Sequence, residues 1–475
     1  MQDSTAARGH AADSLRWRTL GDATLFTDDS GRFLFADEEL AHRIQSGDRS
    51  GRAGRLLARA GLAPSSELAS LAWRFSCARR RCAPGPLDYL ILVPTLRCNL
   101  ACSYCQVSRA PIEAEGFDWS DRTLTAVLDL VHGLEARAVK IEFQGGEPTL
   151  RPDLLRAVMD AVPPPVEASF VICTNLQSLD SEVLELFDRD DVTISTSLDG
   201  PEDLHARQRH GDRIAAARFF TNLDALLTRY GPGKISALPT IDPRSPPDID
   251  ALIEAFAGRG LYSIFLRPVN YQGFARKRYR HARETDGAWL DFHERFVRRL
   301  IELNFEHRER VLEETYFSLL LKRIFQPGSD RFVDLRNPNP VGRDYIVVDH
   351  DGRVYPTDEA RMLARSRVID LSIGDVFDGW ESPQRAALDA ASRLDGDPAC
   401  ERCAYKPYCG RDLVDDIARY GTIALPREAT EFCRRHKRLF DLAFECVRSN
   451  DKKVRYSLNQ WLGLAPEAPR LDLTA

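Results

Sequence analysis

Two groups of cysteines in this 475-residue chain have a spacing that would let each group hold metal. The seven residues are Cys98, Cys102 and Cys105 in the first group, and Cys400, Cys403, Cys409 and Cys433 in the second. Clustered thiols of this kind are ligands of zinc or of iron–sulfur clusters. The other cysteines show no such spacing, and we expect Cys173 and Cys446 to be buried apolar residues.

The first group supplies three thiolates within one short loop. Three thiolates can bind three corners of a cubane 4Fe–4S cluster and leave the fourth iron without a protein ligand. An iron that is open in this way can coordinate a small molecule. A zinc ion would require a fourth ligand, and none stands in this loop. The spacing therefore favours an iron–sulfur cluster, with a zinc site or a chance arrangement as the alternatives.

The composition narrows the class of protein. The chain is 43% hydrophobic and 29% charged, which is typical of a soluble globular protein. A formal net charge of −6 argues against a protein whose main role is to bind nucleic acid. No apolar run is long enough to span a membrane, and the N-terminus lacks the apolar segment of a secretion signal. We therefore expect a cytoplasmic protein with no nucleic acid and no membrane among its partners.

Between residues 86 and 300, apolar strands alternate with helices. The predicted strands are Tyr89–Pro94, Val139–Phe143, Ser169–Thr174, Val192–Ser197, Lys234–Thr240 and Ser263–Pro268. Helices are predicted after the first five strands, at 120–135, 152–161, 181–188, 213–230 and 248–258. This repeat predicts a parallel sheet covered by helices. Six units are too few for an eight-fold barrel, so the predicted fold class is α/β with an incomplete (β/α)6 barrel.

Smaller units flank the predicted barrel. Over 1–85, a hairpin around Asp28–Gly31 and two short helices predict a small α+β domain. A helical bridge is expected at 301–340, followed at 341–450 by a cysteine-rich domain that begins with a second hairpin. Residues 451–475 are expected to form a loosely held tail.

Polar or glycine-containing segments follow or end several of the predicted strands. These segments are Gln144–Pro148, Thr174-Asn175, Ser195–Pro201 and Phe265–Asn270. Active groups of parallel α/β folds gather at the C-terminal ends of the strands, where the first cysteine group also lies. Each segment alone is a common loop, but together and in this order they indicate one site.

The segment Arg97–Cys105 resembles the signature loop of the radical S-adenosylmethionine (SAM) enzymes. The resemblance covers about residues 88–270 and includes the aromatic Tyr104 just before the third cysteine. It implies a TIM-like radical SAM barrel with a 4Fe–4S cluster on the first cysteine group. The open iron of that cluster would bind the amino and carboxylate groups of SAM.

The same resemblance implies which residues contact SAM. Glu147 belongs to a Gly-Gly-Glu motif and would accept from the SAM ammonium, and Asp199 belongs to a Ser-Leu-Asp-Gly-Pro element. The full implied set is Tyr104, Gly145, Gly146, Glu147, Asn175, Ser197, Asp199 and Arg267. For Arg267, a forked contact with the SAM carboxylate and a structural ion pair are equal alternatives.

The second cysteine group resembles the SPASM (twitch-like) domain, which carries auxiliary iron–sulfur clusters. The resemblance implies one auxiliary 4Fe–4S cluster on its four cysteines, with a zinc knuckle as the alternative. A second auxiliary site is not expected, because Thr357 and Leu413 stand where the family has cysteines. The N-terminal unit resembles the small winged-helix-like domains that bind precursor peptides by adding a β-strand, and a stabilising cap is the alternative.

The segments Phe265–Ala275 and Thr357–Leu363 resemble parts of the His-Xaa-Ser system radical SAM maturases. This resemblance implies an oxidoreductase that cleaves SAM to a 5′-deoxyadenosyl radical and oxidatively crosslinks a precursor peptide, with a peptide of the His-Xaa-Ser repeat type as a candidate. A flavodoxin or ferredoxin-type donor would supply electrons. Asp358 and Glu359 are weak candidates for a catalytic proton acceptor. The alternatives are oxidation of a protein side chain, as in sulfatase maturation, oxidation of a small molecule, and a non-catalytic zinc-binding scaffold.

Overall fold

The computed structural model describes residues 15–62, 67–80, 85–211, 213–270, 272–278, 286–328 and 335–468. The N-terminal unit consists of β1 (Arg16–Leu20), β2 (Ala23–Thr27), β3 (Phe33–Ala36), α1 (Glu38–Gln45), α2 (Gly51–Arg59) and α3 (Glu67–Arg80). Its three strands form an antiparallel sheet in the order β1-β2-β3. The predicted hairpin and the two short helices are confirmed, whereas β1 and α3 were not predicted.

The central region alternates strands and helices as the sequence predicts. Its elements are β4 (Tyr89–Thr95), β5 (Arg97–Cys98), β6 (Ala110–Pro111), α4 (Asp121–His132), β7 (Ala138–Gly145), α5 (Pro152–Ala161), β8 (Glu167–Cys173), α6 (Ser181–Phe187), β9 (Val192–Ser197), α7 (Glu202–His205), α8 (Arg213–Tyr230), β10 (Ile235–Leu238), β11 (Thr240–Ile241), α9 (Ile249–Ala257), β12 (Ser263–Ile264), β13 (Arg267–Pro268) and α10 (Ala275–Arg278). A π-helical turn, Ala206–His210, continues α7.

The C-terminal region is mostly helical. Its elements are α11 (Asp286–Glu306), β14 (Glu313–Glu314), α12 (Thr315–Phe325), β15 (Tyr345–Val348), β16 (Arg353–Tyr355), α13 (Asp358–Arg365), β17 (Gly374–Asp375), α14 (Pro383–Ala391), α15 (Pro398–Glu401), α16 (Leu413–Tyr420), α17 (Glu431–Arg448) and α18 (Lys452–Trp461). The predicted second hairpin is confirmed as the antiparallel pair β15 and β16.

One mostly parallel sheet organises the molecule, in the order β10-β9-β8-β7-β4-β15-β16-β17. The strands from β10 to β15 run parallel, so β15 extends the barrel sheet beyond β4. The fifth predicted strand is broken into β10 and β11 at Pro239, which has no N–H to donate to a neighbouring strand. The sixth is broken into β12 and β13, which pair with β14 and β11.

Along β7 and β9, successive side chains point alternately to a buried face and to the opposite, half-buried face. Along β7, Ile141 and Phe143 are fully buried against the helices, whereas Lys140, Glu142 and Gln144 are half-buried on the opposite face. This period of two is what a pleated strand imposes.

The strands β4, β7, β8 and β9 run parallel. Their C-terminal ends therefore lie at one edge of the sheet, which is where the predicted site residues lie.

Two predictions for the C-terminal half are wrong. Residues 452–461 are not a loose tail but form α18, in which Trp461 is 3% exposed and its Nε1 donates to the Leu312 carbonyl oxygen at 3.0 Å. The charged residues at the start of α18 conceal its apolar face in the sequence. The helical bridge is also interrupted, because β14 separates α11 from α12. Residues 469–475 lie outside the described residues.

The N-terminal sheet packs directly on the second cysteine segment. Thr27 Oγ1 donates to the Ala404 carbonyl oxygen at 2.8 Å, and Tyr408 donates its hydroxyl to the Gly31 carbonyl oxygen at 2.9 Å. Phe33 meets Phe444 of α17 edge to face with 5.2 Å between ring centroids. These contacts join the two ends of the chain in one core. The predicted domain boundaries stay a prediction.

Candidate functional site

The first cysteine group lies at the end of β5, which follows β4, and in the loop after it. Cys98 ends β5 and is buried, and burial raises the pKa of its thiol to about 12. The backbone N–H of Leu100 lies 3.4 Å from the Cys98 sulfur, and the Asn175 amide nitrogen lies 3.7 Å from it. Cys102 and Cys105 are half-buried in the same loop. Donors directed at a sulfur atom stabilise thiolate and tune a metal bound to it.

The glycine pair at the end of β7 lets this loop approach closely. A Cβ at Gly146 would lie 2.2 Å from the Arg97 carbonyl oxygen, and a Cβ at Gly145 would lie 2.2 Å from the Thr95 carbonyl oxygen. Gly145 also has a φ of +140°, which other residues rarely adopt. A close backbone approach at Gly145 and Gly146 is therefore present, between β7 and the segment that carries Cys98.

Glu147 and Asn175 form a buried polar pair beside Cys98. Glu147 accepts from the Thr149 hydroxyl at 2.7 Å and from the backbone N–H of Asn175 at 2.7 Å. Asn175 in turn donates its side-chain amide to Asn99 Oδ1 at 2.7 Å. Burial raises the pKa of Glu147. Among the described residues, no cationic side chain pairs with Glu147, so an anionic Glu147 is suited to receive an ammonium group.

Tyr104 and Asp199 form a second buried group. The Tyr104 hydroxyl donates to Asp199 at 2.6 Å, and Asp199 also accepts from the backbone N–H of Thr240 at 3.0 Å. Burial raises the pKa of both side chains. Arg209, on the π-helical turn, donates to the Tyr104 oxygen at 2.8 Å. Ser197 ends β9, two residues before Asp199, and is half-buried.

Arg209 was missed by the sequence analysis. The arginine stands among ordinary charged residues, and only the π-helical turn, a feature common at functional sites, directs it towards Tyr104. A second group that was missed anchors the start of the cysteine loop. Asp118 accepts from Arg97 Nη2 at 2.6 Å and from Arg151 at 3.0 Å.

Arg267 is placed differently from the other predicted SAM contacts. Its backbone in β13 pairs with Thr240 in β11, but its guanidinium lies over the Phe265 ring at 4.6 Å from the centroid. The side chain is exposed and lines a separate cavity formed with the C-terminal helices. The predicted structural ion pair is absent among the described residues, because no carboxylate there lies within 4.0 Å of Arg267.

All four cysteines of the second group line one enclosed cavity. The cavity is bounded by Cys400, Cys403, Cys409 and Cys433, together with Arg427 and Lys437. Burial raises the pKa of Cys400 to about 12 and raises the pKa values of Cys409 and Cys433. Four thiolates with an iron–sulfur core carry net negative charge, which the nearby guanidinium and ammonium groups would offset.

The sulfur spacing separates a cluster from a single metal ion. Four thiolates around one zinc stand about 3.8 Å apart, given zinc–sulfur bonds of about 2.3 Å. In the part of the chain that the structure describes, one group of three metal-ligating side chains has all its ligand atoms within 4.8 Å of one another, and it is Asp349, His350 and Asp351. Neither cysteine group belongs to that compact set. A cluster, in which each thiolate binds a different iron atom, does not require sulfur atoms so close together.

Thr357 and Leu413 have local structural roles. Thr357 caps α13 by accepting from the backbone N–H of Ala360 at 3.1 Å, and Leu413 is a buried residue at the start of α16. The expectation of a single auxiliary cluster stays a prediction.

The two candidate acids differ in their surroundings. Asp358 accepts from Arg361 Nε at 2.7 Å, and Arg361 is fully buried between Asp358 and Asp349. This ion pair commits Asp358 to the structure, so it does not fit a proton acceptor. Glu359 lines the same cavity as Arg267.

The central region matches a known family. Residues 92–256 match the model described as Radical SAM superfamily. The chain therefore contains a radical SAM superfamily domain, and the expected α/β fold with a central, mostly parallel sheet is confirmed. The match covers β4 to α9, the elements that carry the first cysteine group and the two buried polar groups.

Two curated relatives match parts of the chain. GTP 3′,8-cyclase of Chlorobaculum tepidum is 32% identical over 114 residues, which is 24% of this chain and 31% of that protein. PqqA peptide cyclase of Gluconobacter oxydans is 36% identical over 75 residues, which is 16% of this chain and 20% of that protein. The chain spans less than half the length of the curated relatives it matches.

Solved structures resemble more of the chain. The anSMEcpe structure with bound AdoMet gives a TM-score of 0.61 at 19% identity and covers 75% of this chain and 97% of that one. A structure of anSMEcpe with AdoMet and the Cp18Cys peptide gives a TM-score of 0.58 at 18% identity and covers 75% of this chain and 96% of that one. At these identities the likeness concerns the fold. Within the described residues, no helix combines the length and the apolarity needed to cross a bilayer.

Proposed function

We propose that this protein is a radical SAM oxidoreductase that modifies, and most simply crosslinks, a ribosomally made precursor peptide. The observation that carries the proposal is the three-thiol loop, set beside Glu147 and Asn175 at the C-terminal edge of the sheet. A 4Fe–4S cluster with one open iron, when bound and reduced, supplies the electron that cleaves SAM to methionine and a 5′-deoxyadenosyl radical. The protein residues bind, orient and exclude water around this chemistry.

The residues divide into cluster ligands and SAM contacts. Cys98, Cys102 and Cys105 would hold the cluster. Glu147 would accept hydrogen bonds from the SAM ammonium, which supplies the cation that this buried carboxylate lacks. The remaining proposed contacts are Tyr104, Gly145, Gly146, Asn175, Ser197 and Asp199, all on the same edge of the sheet.

The second cysteine group would hold one auxiliary 4Fe–4S cluster. Its four thiols line one cavity, and Arg427 and Lys437 supply positive charge beside them. Because protein would occupy all four corners, this cluster suits electron transfer better than substrate binding. We assign to it the electron that is released when a substrate radical closes into a new bond.

The auxiliary role has a direct test. In a variant with Cys400→Ala and Cys403→Ala, we expect SAM cleavage to continue while the modified product is lost. Cys77→Ala is the matched control, because Cys77 lies in α3, outside both groups. Unchanged product from the double variant would refute the role.

A peptide substrate is supported by the similarity to PqqA peptide cyclase, which is 36% identical over 75 residues. The N-terminal unit adds a three-stranded sheet followed by three helices, an arrangement that suits recognition of a peptide by strand addition. We propose that the peptide belongs to the His-Xaa-Ser repeat type and that a flavodoxin or ferredoxin-type protein is the electron donor.

The decisive experiment is anaerobic incubation of the protein with SAM, dithionite and a synthetic His-Xaa-Ser repeat peptide. We expect 5′-deoxyadenosine to form and the peptide mass to fall by the loss of hydrogens. Cys98→Ala should abolish both, and Cys77→Ala should leave both unchanged. Zinc in place of iron and sulfide in anaerobically purified protein would overturn the proposal, as would the absence of 5′-deoxyadenosine.

A further inference from the structure

A cavity of about 150 Å³ lies between the barrel and the C-terminal helices. It begins at Gln106, the residue after the third cysteine of the loop, and the segment after β13 forms its floor. This segment is pressed onto the loop, since the backbone N–H of Phe274 donates to the Cys105 carbonyl oxygen at 3.1 Å. Trp289 of α11, Tyr316 of α12 and Arg435 of α17 contribute the opposite wall. The cavity thus adjoins the candidate cluster site on the side of the C-terminal region.

Among the described residues, Arg267 is a cation of this cavity for which no ion pair is found. Its guanidinium lies over the Phe265 ring, and Phe265 stacks on Tyr316 with 5.8 Å between centroids and 16° between planes. The other arginines nearby are engaged: Arg419 bonds Asp415 at 2.8 Å and Asp286 at 3.0 Å, for example. Among the described residues, none offers a carboxylate to Arg267 within 4.0 Å. A positioned guanidinium of this kind is a forked donor for a carboxylate.

Two further polar groups in the wall lack partners. Gln272 is 7% exposed, and its amide nitrogen donates to Asp415 at 3.3 Å, which leaves its Oε1 as a buried acceptor with no donor. Arg435 Nε is likewise a buried donor with no acceptor. Buried groups without partners are costly, so a ligand that satisfies them would be favoured here.

These groups define the chemistry of a ligand. A carboxylate would satisfy Arg267, and an N–H donor a short distance away would satisfy Gln272. A peptide with a carboxylate near the reacting residue carries both groups, since its backbone amide supplies the N–H. The aromatic walls suit the aliphatic part of such a segment.

Building on the proposed function, we propose that this cavity binds a carboxylate-bearing segment of the peptide substrate, with Arg267 as the residue that selects it. The carboxylate could be an Asp or Glu side chain or the C-terminus of the peptide. Arg267 then determines specificity by fixing the peptide against the loop, while the SAM contacts lie on the edge of the sheet beside it.

Binding of small probes tests this inference without any need for SAM cleavage. The probes are N-acetylglutamate N-methylamide, its glutamine counterpart and N-acetylglycine, each followed by ligand-observed NMR on the anaerobic holoprotein. We expect the wild-type protein to bind a carboxylate probe and to ignore the glutamine probe. Stronger binding of the glutamate probe would identify a side-chain carboxylate, and stronger binding of N-acetylglycine would identify a C-terminal one.

The variants establish the residue. Arg267→Gln should weaken binding of the carboxylate probe by about tenfold or more, as expected for a charge-assisted hydrogen bond, and leave the dissociation constant of SAM within about twofold. Arg295→Gln, an exposed arginine on α11, is the matched control and should change neither value. Arg267→Lys should retain part of the binding and shows whether the Arg267→Gln result reflects misfolding.

Two results would overturn the inference. One is that no carboxylate probe binds the wild-type protein, or that binding is indifferent to Arg267→Gln. The other is that Arg267→Gln weakens SAM binding instead, which would assign Arg267 to the SAM carboxylate. A wild-type protein that binds the probes but does not cleave SAM would refute the proposed function and leave the cavity assignment standing.

Discussion

Gly146→Ala is the sharpest test of how the barrel positions the cysteine loop. The new Cβ would lie 2.2 Å from the Arg97 carbonyl oxygen and 2.3 Å from the Leu96 carbonyl oxygen. Both atoms belong to the backbone just before Cys98, so no side-chain rotation can relieve the clash. The loop must move away from β7 by roughly 1 Å, since ordinary carbon–oxygen contacts are about 3.4 Å or longer.

The cost can be estimated from two contributions. Overpacking of this kind costs about 1–3 kcal/mol. The displacement also weakens two hydrogen bonds at the same point, from Gly146 N–H to the Thr95 oxygen at 3.0 Å and from Glu147 N–H to the Arg97 oxygen at 2.8 Å, each worth about 1 kcal/mol. We therefore expect a loss of about 3 kcal/mol in the free energy of unfolding.

The assay follows iron and sulfide content, the dissociation constant of SAM and chemical unfolding of the anaerobically purified variant. We expect the iron and sulfide content and the free energy of unfolding to fall and the dissociation constant of SAM to rise, because the displaced segment carries Cys98. Gly287→Ala is the matched control: no atom lies within 4 Å of the new Cβ, and Gly287 is in α11, where alanine adds up to about 1 kcal/mol of stability. If Gly146→Ala retained wild-type iron content, SAM affinity and stability, the argument that glycine permits this close approach would be refuted.

Three further predictions concern the anchor, the SAM contact and the C-terminus. Burial raises the pKa of Asp118, but hydrogen bonds from Arg97, Thr95 and Arg151 outweigh it and hold the pKa at about 2, below its usual 3.8. The ionised carboxylate therefore stabilises the fold by about 2 kcal/mol above pH 3.8, and this stabilisation is lost as the pH falls towards 2. In an acid titration of unfolding, Asp118→Asn should be less stable than wild type at pH 7 and equally stable near pH 2. Glu147→Gln should raise the dissociation constant of SAM by about tenfold or more at unchanged iron content, as expected for the loss of a charged hydrogen bond; unchanged affinity in equilibrium dialysis would exclude Glu147 as the ammonium acceptor. Trp461→Ala should cost about 3–5 kcal/mol in urea unfolding, whereas Leu464→Ala, at a residue 47% exposed, should cost little; equal effects would mean that α18 is not part of the core.

Local patterns predicted the barrel well. The strand Val192–Ser197 and the helix 213–230 have the predicted bounds, because alternation of apolar residues and helix periodicity are properties of neighbouring residues. Pairing between distant segments could not be read in this way. The addition of β15 beside β4 joins residues far apart in sequence, and nothing in Tyr345–Val348 distinguishes it from a strand of an isolated hairpin.

The residues of the candidate site show the same difference between local sequence signals and contacts between distant segments. The two cysteine groups could be recognised because their spacing is a local signal, and Glu147 was singled out by the motif in which it stands; their roles stay predictions. Arg209 and Gln272 were not recognised, because the first depends on a π-helical turn and the second on a cavity that several helices of the C-terminal region close. The placement of Arg267 shows the same limit: the sequence located it at a strand end, but only the fold shows that Phe265 directs it into the cavity.

The two cysteine groups are held in place by different kinds of contact. The first depends on backbone contacts at the end of β7, where Gly146 allows two carbonyl groups to approach. The second depends on aromatic packing, in which Phe444 contacts both Tyr405, between the cysteines, and Phe33 of the N-terminal sheet. Close-packed aromatic cores transmit strain because they have little free volume. The N-terminal sheet and the segment that carries Cys403 and Cys409 therefore share one aromatic core, so a change in the packing of Phe33 is transmitted to the second cysteine group, whereas the first group depends on backbone contacts at the end of β7.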